Sequence, residues 1–184
     1  MGSKERLYAD IMAVHPEVTG SCNLVIVKQP DNTTVKFIVD CGLFQERKYS
    51  KNNESLPFIP ANIDFCLVTH NHVDHVGRLP FLVNKGYDKE IFISETTSKL
   101  LPLALEDSHK VLRDVAKRQN RPCLYTESDV AQTMKLIRPC KYNQTVQIRP
   151  NIKATFFQNG HLMGATSILV QIGYPGYENI NLFF

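Results

Sequence analysis

Apolar and polar positions alternate early in the chain. Over residues 6–14, Leu7, Ala9, Ile11 and Ala13 fall on one face, the period of two that suits a half-buried strand. "NLVIVK" (23–28) is a short apolar run, "PDNT" (30–33) carries turn residues, and "TVKFIVD" follows. This stretch reads as two strands joined by a hairpin. Residues 45–60 are polar and bounded by proline, as a loop would be. "IDFCLVT" (63–69) reads as a buried strand, Val76 to Lys85 as a short helix stopped at Gly86, and "EIFIS" (90–94) as another strand.

The period then changes. From Ser94 to about Gln119, Leu101, Ala104, Leu105, Ser108, Leu112 and Val115 share one helical face, which predicts the longest helix. Pro102 fits only near its start or kinks it. Thr126 and Asp129 have the spacing of a capping box before a second helix, which Pro139 should end. Three strands follow, "TVQIR", "IKATFF" and "SILVQIGY". Strand-rich ends around two helices predict a mixed α/β domain. The last residues, "ENINLFF", alternate at Ile180, Leu182 and Phe184, and an apolar strand is an unusual place for a chain to stop. A fragment is therefore expected, able to associate with itself through an open strand edge.

Composition narrows the classes only a little. The chain has 184 residues, 43% of them hydrophobic and 21% charged, enough for one domain with a sizeable core. A formal charge of +3 does not by itself imply a nucleic-acid partner. No apolar run approaches the ~20 residues of a membrane span, and the N-terminus lacks a signal-peptide stretch. The five cysteines are scattered, without a C-x-x-C pair, so reduced core thiols and a cytoplasmic location are expected.

"VTHNHVDHVGRLP" (68–80) changes the picture. His70, His72, Asp74 and His75 fall within six positions directly after a buried strand. Imidazole nitrogens and carboxylate oxygens suit zinc and its neighbours. In an extended segment, His70 and His72 point the same way and can grip one ion. Asp74 and His75 lie where the chain turns toward the next helix and can face a second. Two ions roughly 3.5–4 Å apart can activate one shared water. His161, in "QNGHLMGATS", lies on a Gly-flanked turn between strands and can reach the first ion from across the site. Asp40 ends a strand before Cys41–Gly42. It can accept a ring N–H from a ligand histidine, or simply form a turn. His15 and His109 are left out of the ligand set, His109 as a packing or surface residue.

These residues carry a resemblance. "THNHVDHVGRLP" resembles the H-x-H-x-D-H signature of the metallo-β-lactamase superfamily. "VDCGLFQ" (39–45) resembles the first motif of its β-CASP branch, RNA-processing nucleases of the RNase J and pre-mRNA 3′-end endonuclease type. "GHLMGATS" resembles that branch's third motif, and "LALEDSHK" (103–110) is similar to a helical segment common in it. The likeness runs from about Gly20 to the end.

The resemblance implies an αββα sandwich, incomplete in this chain. Residues 1–184 would be its N-terminal segment, with the β-CASP cap and the C-terminal part of the sandwich absent. It implies a metal-dependent ribonuclease with two divalent ions, zinc foremost. His70, His72 and His161 would hold one ion, and Asp74 and His75 the other. Asp40 and Asp74 would be its catalytic carboxylates, with Asp40 orienting a ligand. A bridging Asp and a late His of the family have no counterpart here, so weak or no activity is expected of this chain alone. RNA is the implied partner and a membrane is not. Lys110, Arg113, Lys117, Arg118 and Arg121, along the long helix, form a solvated face or meet phosphates. The competing readings are a thioester or lactone hydrolase of the same superfamily and a non-catalytic fragment.

Overall fold

The structure is a computed structural model and describes residues 5–14 and 19–184. His15 lies outside the described residues. Two sheets and one helical layer stack as α/β/β. The first sheet has the order β1-β2-β3-β4-β5-β6: β1 (Tyr8–Ala13), β2 (Asn23–Lys28), β3 (Thr34–Val39), β4 (Phe65–Leu67), β5 (Ile91–Ser94) and β6 (Ile137–Cys140). The second has the order β10-β9-β8-β7: β7 (Thr145–Arg149), β8 (Ile152–Gln158), β9 (Thr166–Ile172) and β10 (Ile180–Phe183), all antiparallel. The helices α1 (Val73–Val76), α2 (Leu79–Asn84), α3 (Glu95–Arg118) and α4 (Glu127–Leu136) connect the central strands.

Alternation within the first sheet divides the core. Leu24, Ile38, Cys66, Ile91 and Ile93 pack with Leu79, Leu82, Leu101, Leu105 and Val130 of the helices. Their neighbours Val25, Val27, Phe37, Val39, Phe65, Leu67 and Phe92 pack against Ile152, Ala154, Phe156, Ile168 and Val170 of the second sheet. The first sheet is thus buried on both faces, as parallel sheets require. Phe37 stacks on Phe65 at 4.6 Å between ring centroids at the centre of this second cluster. Among the described residues, helices cover the first sheet's outer face only. The second sheet leaves Phe157 and Phe183 in solvent.

β3 to β6 run parallel, so their C-terminal ends share one rim. That rim carries Asp40 after β3, Thr69–His75 after β4 and Ser94 at the end of β5. Ligand sites in parallel sheets form at such ends because the connections there splay apart.

Several sequence expectations need adjustment. The expected helix from Val76 to Lys85 is two short ones, broken at Gly77–Arg78. Arg78 is fully buried with no acidic partner among the described residues, its charge facing backbone carbonyls. Nε donates to Gly42 O at 2.6 Å, and Nη1 donates to Asn52 O at 3.0 Å and Ser55 O at 3.2 Å. The 45–60 loop contains 3-10 turns at Arg47–Glu54 and Pro60–Asn62. Pro139 does not end α4, which stops at Leu136. It sits in the edge strand β6 opposite Ile93, where a missing N–H is tolerated. Pro102 lies inside α3, which runs on to Arg118. On β1, another edge strand, Ile11 stays half exposed. The capping box at Thr126 and Asp129 forms as expected.

Candidate metal centre

The backbone that follows β4 is pinned before any ligand is considered. Ser21 N donates to Asp74 O at 2.8 Å, Cys41 N to His75 O at 2.8 Å, and Leu43 N to Val73 O at 3.0 Å. The first turn of α1 thus rests on the loop after β3. Gly42 is the point of closest approach, since a Cβ there would stand 1.5 Å from Asp74 O. Any side chain at position 42 would push Asp74 and His75 out of place.

Asp40 is the hub beneath. It is buried, and its φ of +65° lies in the left-handed region, which aspartate visits more readily than most residues. Its carboxylate accepts three hydrogen bonds: from Thr69 N (2.8 Å), from Thr69 Oγ1 (2.8 Å) and from His75 Nδ1 (2.7 Å). Because a carboxylate only accepts, the protons are assigned. His75 carries its proton on Nδ1, which leaves Nε2 facing outward. The Thr69 hydroxyl gives its one proton to Asp40 and so accepts from His70 Nδ1, 2.9 Å away. His70 therefore presents a bare Nε2 lone pair. For His75, burial opposes the charged ring, yet the hydrogen bond and charge of Asp40 outweigh it and raise its pKa. For His70, burial first, then the neighbouring His75, pushes the pKa down to about 4, so the ring is neutral near pH 7.

The three imidazoles then converge. His70 Nε2 lies 3.2 Å from His72 Nδ1, and His161 Nε2 lies 3.3 Å from the same His72 nitrogen. All three donor atoms fall within 4.8 Å of one another. Nitrogens bound at about 2.05 Å to a tetrahedral zinc stand about 3.3 Å apart, the separation His72 keeps from both His70 and His161. The protonation fits as well. His72 Nδ1 can carry one proton and faces two Nε2 atoms. Without a cation, a proton on His72 Nδ1 can point at only one of them, and a bare Nδ1 would oppose the bare His70 Nε2. His161 reaches the group on the turn between β8 and β9, its N–H held by Asn159 Oδ1 at 3.2 Å. Thr166 N, at the end of that turn, donates to Thr69 O at 2.9 Å and ties the second sheet to the rim of the first.

Asp74 and His75 come together only as a pair, with Oδ2 and Nε2 4.0 Å apart. Among the described residues no third donor joins them. His109 is buried and stacked on Tyr125, away from the centre. Two of the basic residues expected along the long helix are engaged elsewhere: Arg113 of α3 pairs with Glu127 at 3.3 Å, and Arg121, beyond the end of α3, pairs with Glu54 at 3.0 Å. Sequence reasoning missed Thr69 and the buried Arg78. Thr69 precedes the histidines without a spacing of its own. Arg78 stands in the apolar run "VGRLPFL", and an arginine in such a run was the available signal.

Residues 27–174 match a sequence profile described as the metallo-beta-lactamase superfamily domain. The chain is 31% identical over 155 residues to a protein named Ribonuclease TTHA0252 from Thermus thermophilus, covering 84% of this chain and 33% of that one. It is also 31% identical over 164 residues to a Transcription termination factor FttA from Methanocaldococcus jannaschii, covering 88% of this chain and 24% of that protein. The chain thus spans a third or less of these relatives. Among solved structures, the Rm3 metallo-beta-lactamase superposes with a TM-score of 0.54 at 19% identity, over all of this chain and 61% of that one, a likeness of fold alone.

Proposed function

Because the chain belongs to the metallo-β-lactamase superfamily, we propose that it is the ligand-bearing segment of a zinc-dependent phosphodiester hydrolase acting on RNA. The observation that carries this reading is the convergence of the His70, His72 and His161 ring nitrogens within 4.8 Å of one another, with the His70 proton turned away from them toward Thr69. Relatives named as a ribonuclease and a transcription termination factor point to RNA. Bound divalent ions there would bring the pKa of water near 7 and offset charge building on phosphoryl oxygens.

The chain's own residues have separable tasks in this reading. His70, His72 and His161 hold one ion. Asp74 and His75 offer two donors to a second. Asp40 fixes the proton positions of His75 directly and of His70 through Thr69. Only two donors stand at the second position among the described residues. Weak or no cleavage is therefore expected of these 184 residues alone, as for an N-terminal segment that acts with a cap and further ligands. No described helix is long and apolar enough to cross a membrane. The free cysteines, four of them buried, favour a reducing compartment such as the cytoplasm. The open outer edge of β10 is where self-association would occur.

The test compares zinc-loaded protein on a labelled single-stranded RNA and on a thioester. It uses these residues within a chain as long as the relatives. Metal-dependent RNA cleavage abolished by His72→Ala supports the reading. Thioester turnover without RNA cleavage, or RNA cleavage indifferent to His72→Ala, overturns it.

A further inference from the structure

We infer that Ser94 and Thr97, at the start of α3, are positioning residues that set His161 in the metal centre by gripping a single carbonyl. Both hydroxyls lie 2.7 Å from Gly164 O, across 70 and 67 positions of chain; Thr97 Oγ1 donates to it, and the single Ser94 proton is shared between Gly164 O and Thr97 Oγ1, 2.9 Å away. Both side chains are fully buried. Ser94 Oγ also caps the helix by accepting from Thr97 N at 3.1 Å, so the pair is held rigidly with respect to α3. Gly164 has φ +94°, and a Cβ there would lie 2.5 Å from Thr97 Oγ1 and 2.9 Å from Thr97 N. The turn is thus pressed against the helix start as closely as backbone allows.

The geometry transmits that grip to one ligand. His161 stands three positions before Gly164 in a tight turn, where Ala165 N donates to Leu162 O at 3.0 Å and Asn159 N to Ala165 O at 3.1 Å. On its other side Thr166 N and Oγ1 both donate to Thr69 O, at 2.9 and 3.0 Å. Gly164 and Thr166 anchor the turn at two places, one on α3 and one on the strand that leads to His70. His161 itself is exposed, and its ring meets the other two edge-on at 4.9 and 5.0 Å between centroids. Its position relative to His70 and His72 therefore depends on these anchors. Two hydroxyls on one carbonyl exceed what capping α3 needs, since the Ser94 side chain alone satisfies the free Thr97 N–H.

This inference rests on the metal reading above, and the experiment separates the two. The 184-residue chain is titrated with cobalt(II), whose visible absorption reports coordination, as wild type, Ser94→Ala, Thr97→Val, the double variant, Thr97→Ser and His161→Ala. Melting of the metal-free proteins is recorded beside it. The double variant is expected to lose about 10–100-fold in cobalt affinity, the range of ligand-orienting partners. Its absorption band should shift toward that of His161→Ala. Each single variant should fall between, and Thr97→Ser should restore the wild-type band. Adding the double substitution to His161→Ala should cost no further affinity, because the grip acts through that ligand. Should the double variant fail to fold, the same comparison is made with Thr97→Val. Wild-type affinity and band in the hydroxyl variants would overturn the inference, as would an equal loss with and without His161. A wild-type chain that takes up no cobalt would overturn the metal reading itself.

Discussion

His75 Nδ1 donates to Asp40 Oδ2 across 2.7 Å and thirty-five positions of chain, and that bond decides which nitrogen of His75 faces the centre. Asp40→Asn should reveal its value. Asparagine tolerates the left-handed backbone at position 40 and keeps one acceptor oxygen, but that oxygen cannot stand at both positions, so either Thr69 N or the pair of Thr69 Oγ1 and His75 Nδ1 faces an NH2 instead. Zinc affinity should fall about 10–100-fold, with little change in the melting of the metal-free protein. Competition titration against a chromophoric chelator reads the affinity. An unaltered constant would make Asp40 a turn residue only.

Asp40→Ala should behave differently. It strands the half-buried Thr69 N–H and hydroxyl and places alanine at φ +65°. Two orphaned donors, at about 1–3 kcal/mol each, should lower stability even without metal. Urea unfolding of metal-free Asp40→Ala and Asp40→Asn separates backbone and hydrogen-bond losses from the loss of ligand orientation.

Removing the metal should soften the whole domain. With free zinc at about 100 times its dissociation constant, binding adds about 2.7 kcal/mol to the native state. For a chain of this length, that corresponds to about 5–10 °C in melting temperature. Chelation should reverse the shift in wild type. It should leave His72→Ala unchanged, since exposed His72 contributes ligation and little packing. Equal chelator sensitivity in both would remove His72 from the ligand set.

Arg78→Met should be among the most damaging single changes. It leaves the carbonyls of Gly42, Asn52 and Ser55 without their donor beneath Phe44. A loss of about 3 kcal/mol or more follows. Limited proteolysis should cut the 42–55 segment first. Arg78→Lys keeps the charge but not the planar fork and should recover only part of the loss.

What the sequence disclosed and concealed divides by the range of the interaction. The start of α3 at Ser94 was legible from its change of period, and the cap at Thr126 because its partner lies three residues away. The hairpin of β2 and β3 was legible from its alternation and turn. β6 was not, because its four residues become a strand through the parallel partner β5 rather than through any pattern of their own. The break at Gly77–Arg78 was hidden for the same reason. Arg78 is drawn inward by carbonyls 23 to 36 positions away. In the centre, the positions of the histidines were readable and the proton order was not. That order runs from Asp40 through Thr69, whose hydroxyl direction no spacing encodes. The second pair, Asp74 and His75, was expected to face an ion. The structure brings the two together at 4.0 Å without a third donor among the described residues.

The centre joins parts of the chain that lie far apart in sequence. His70 and His72 follow the first sheet's fourth strand, whereas His161 arrives on a turn of the second sheet, 89 positions beyond His72. An ion held by all three would therefore act as a staple between two layers. Such a staple is absent from a folding transition state in which the sheets have yet to meet. It would slow unfolding far more than it hastens folding. The benefit of zinc would then be kinetic persistence: a native state that opens rarely, even where its equilibrium stability is ordinary.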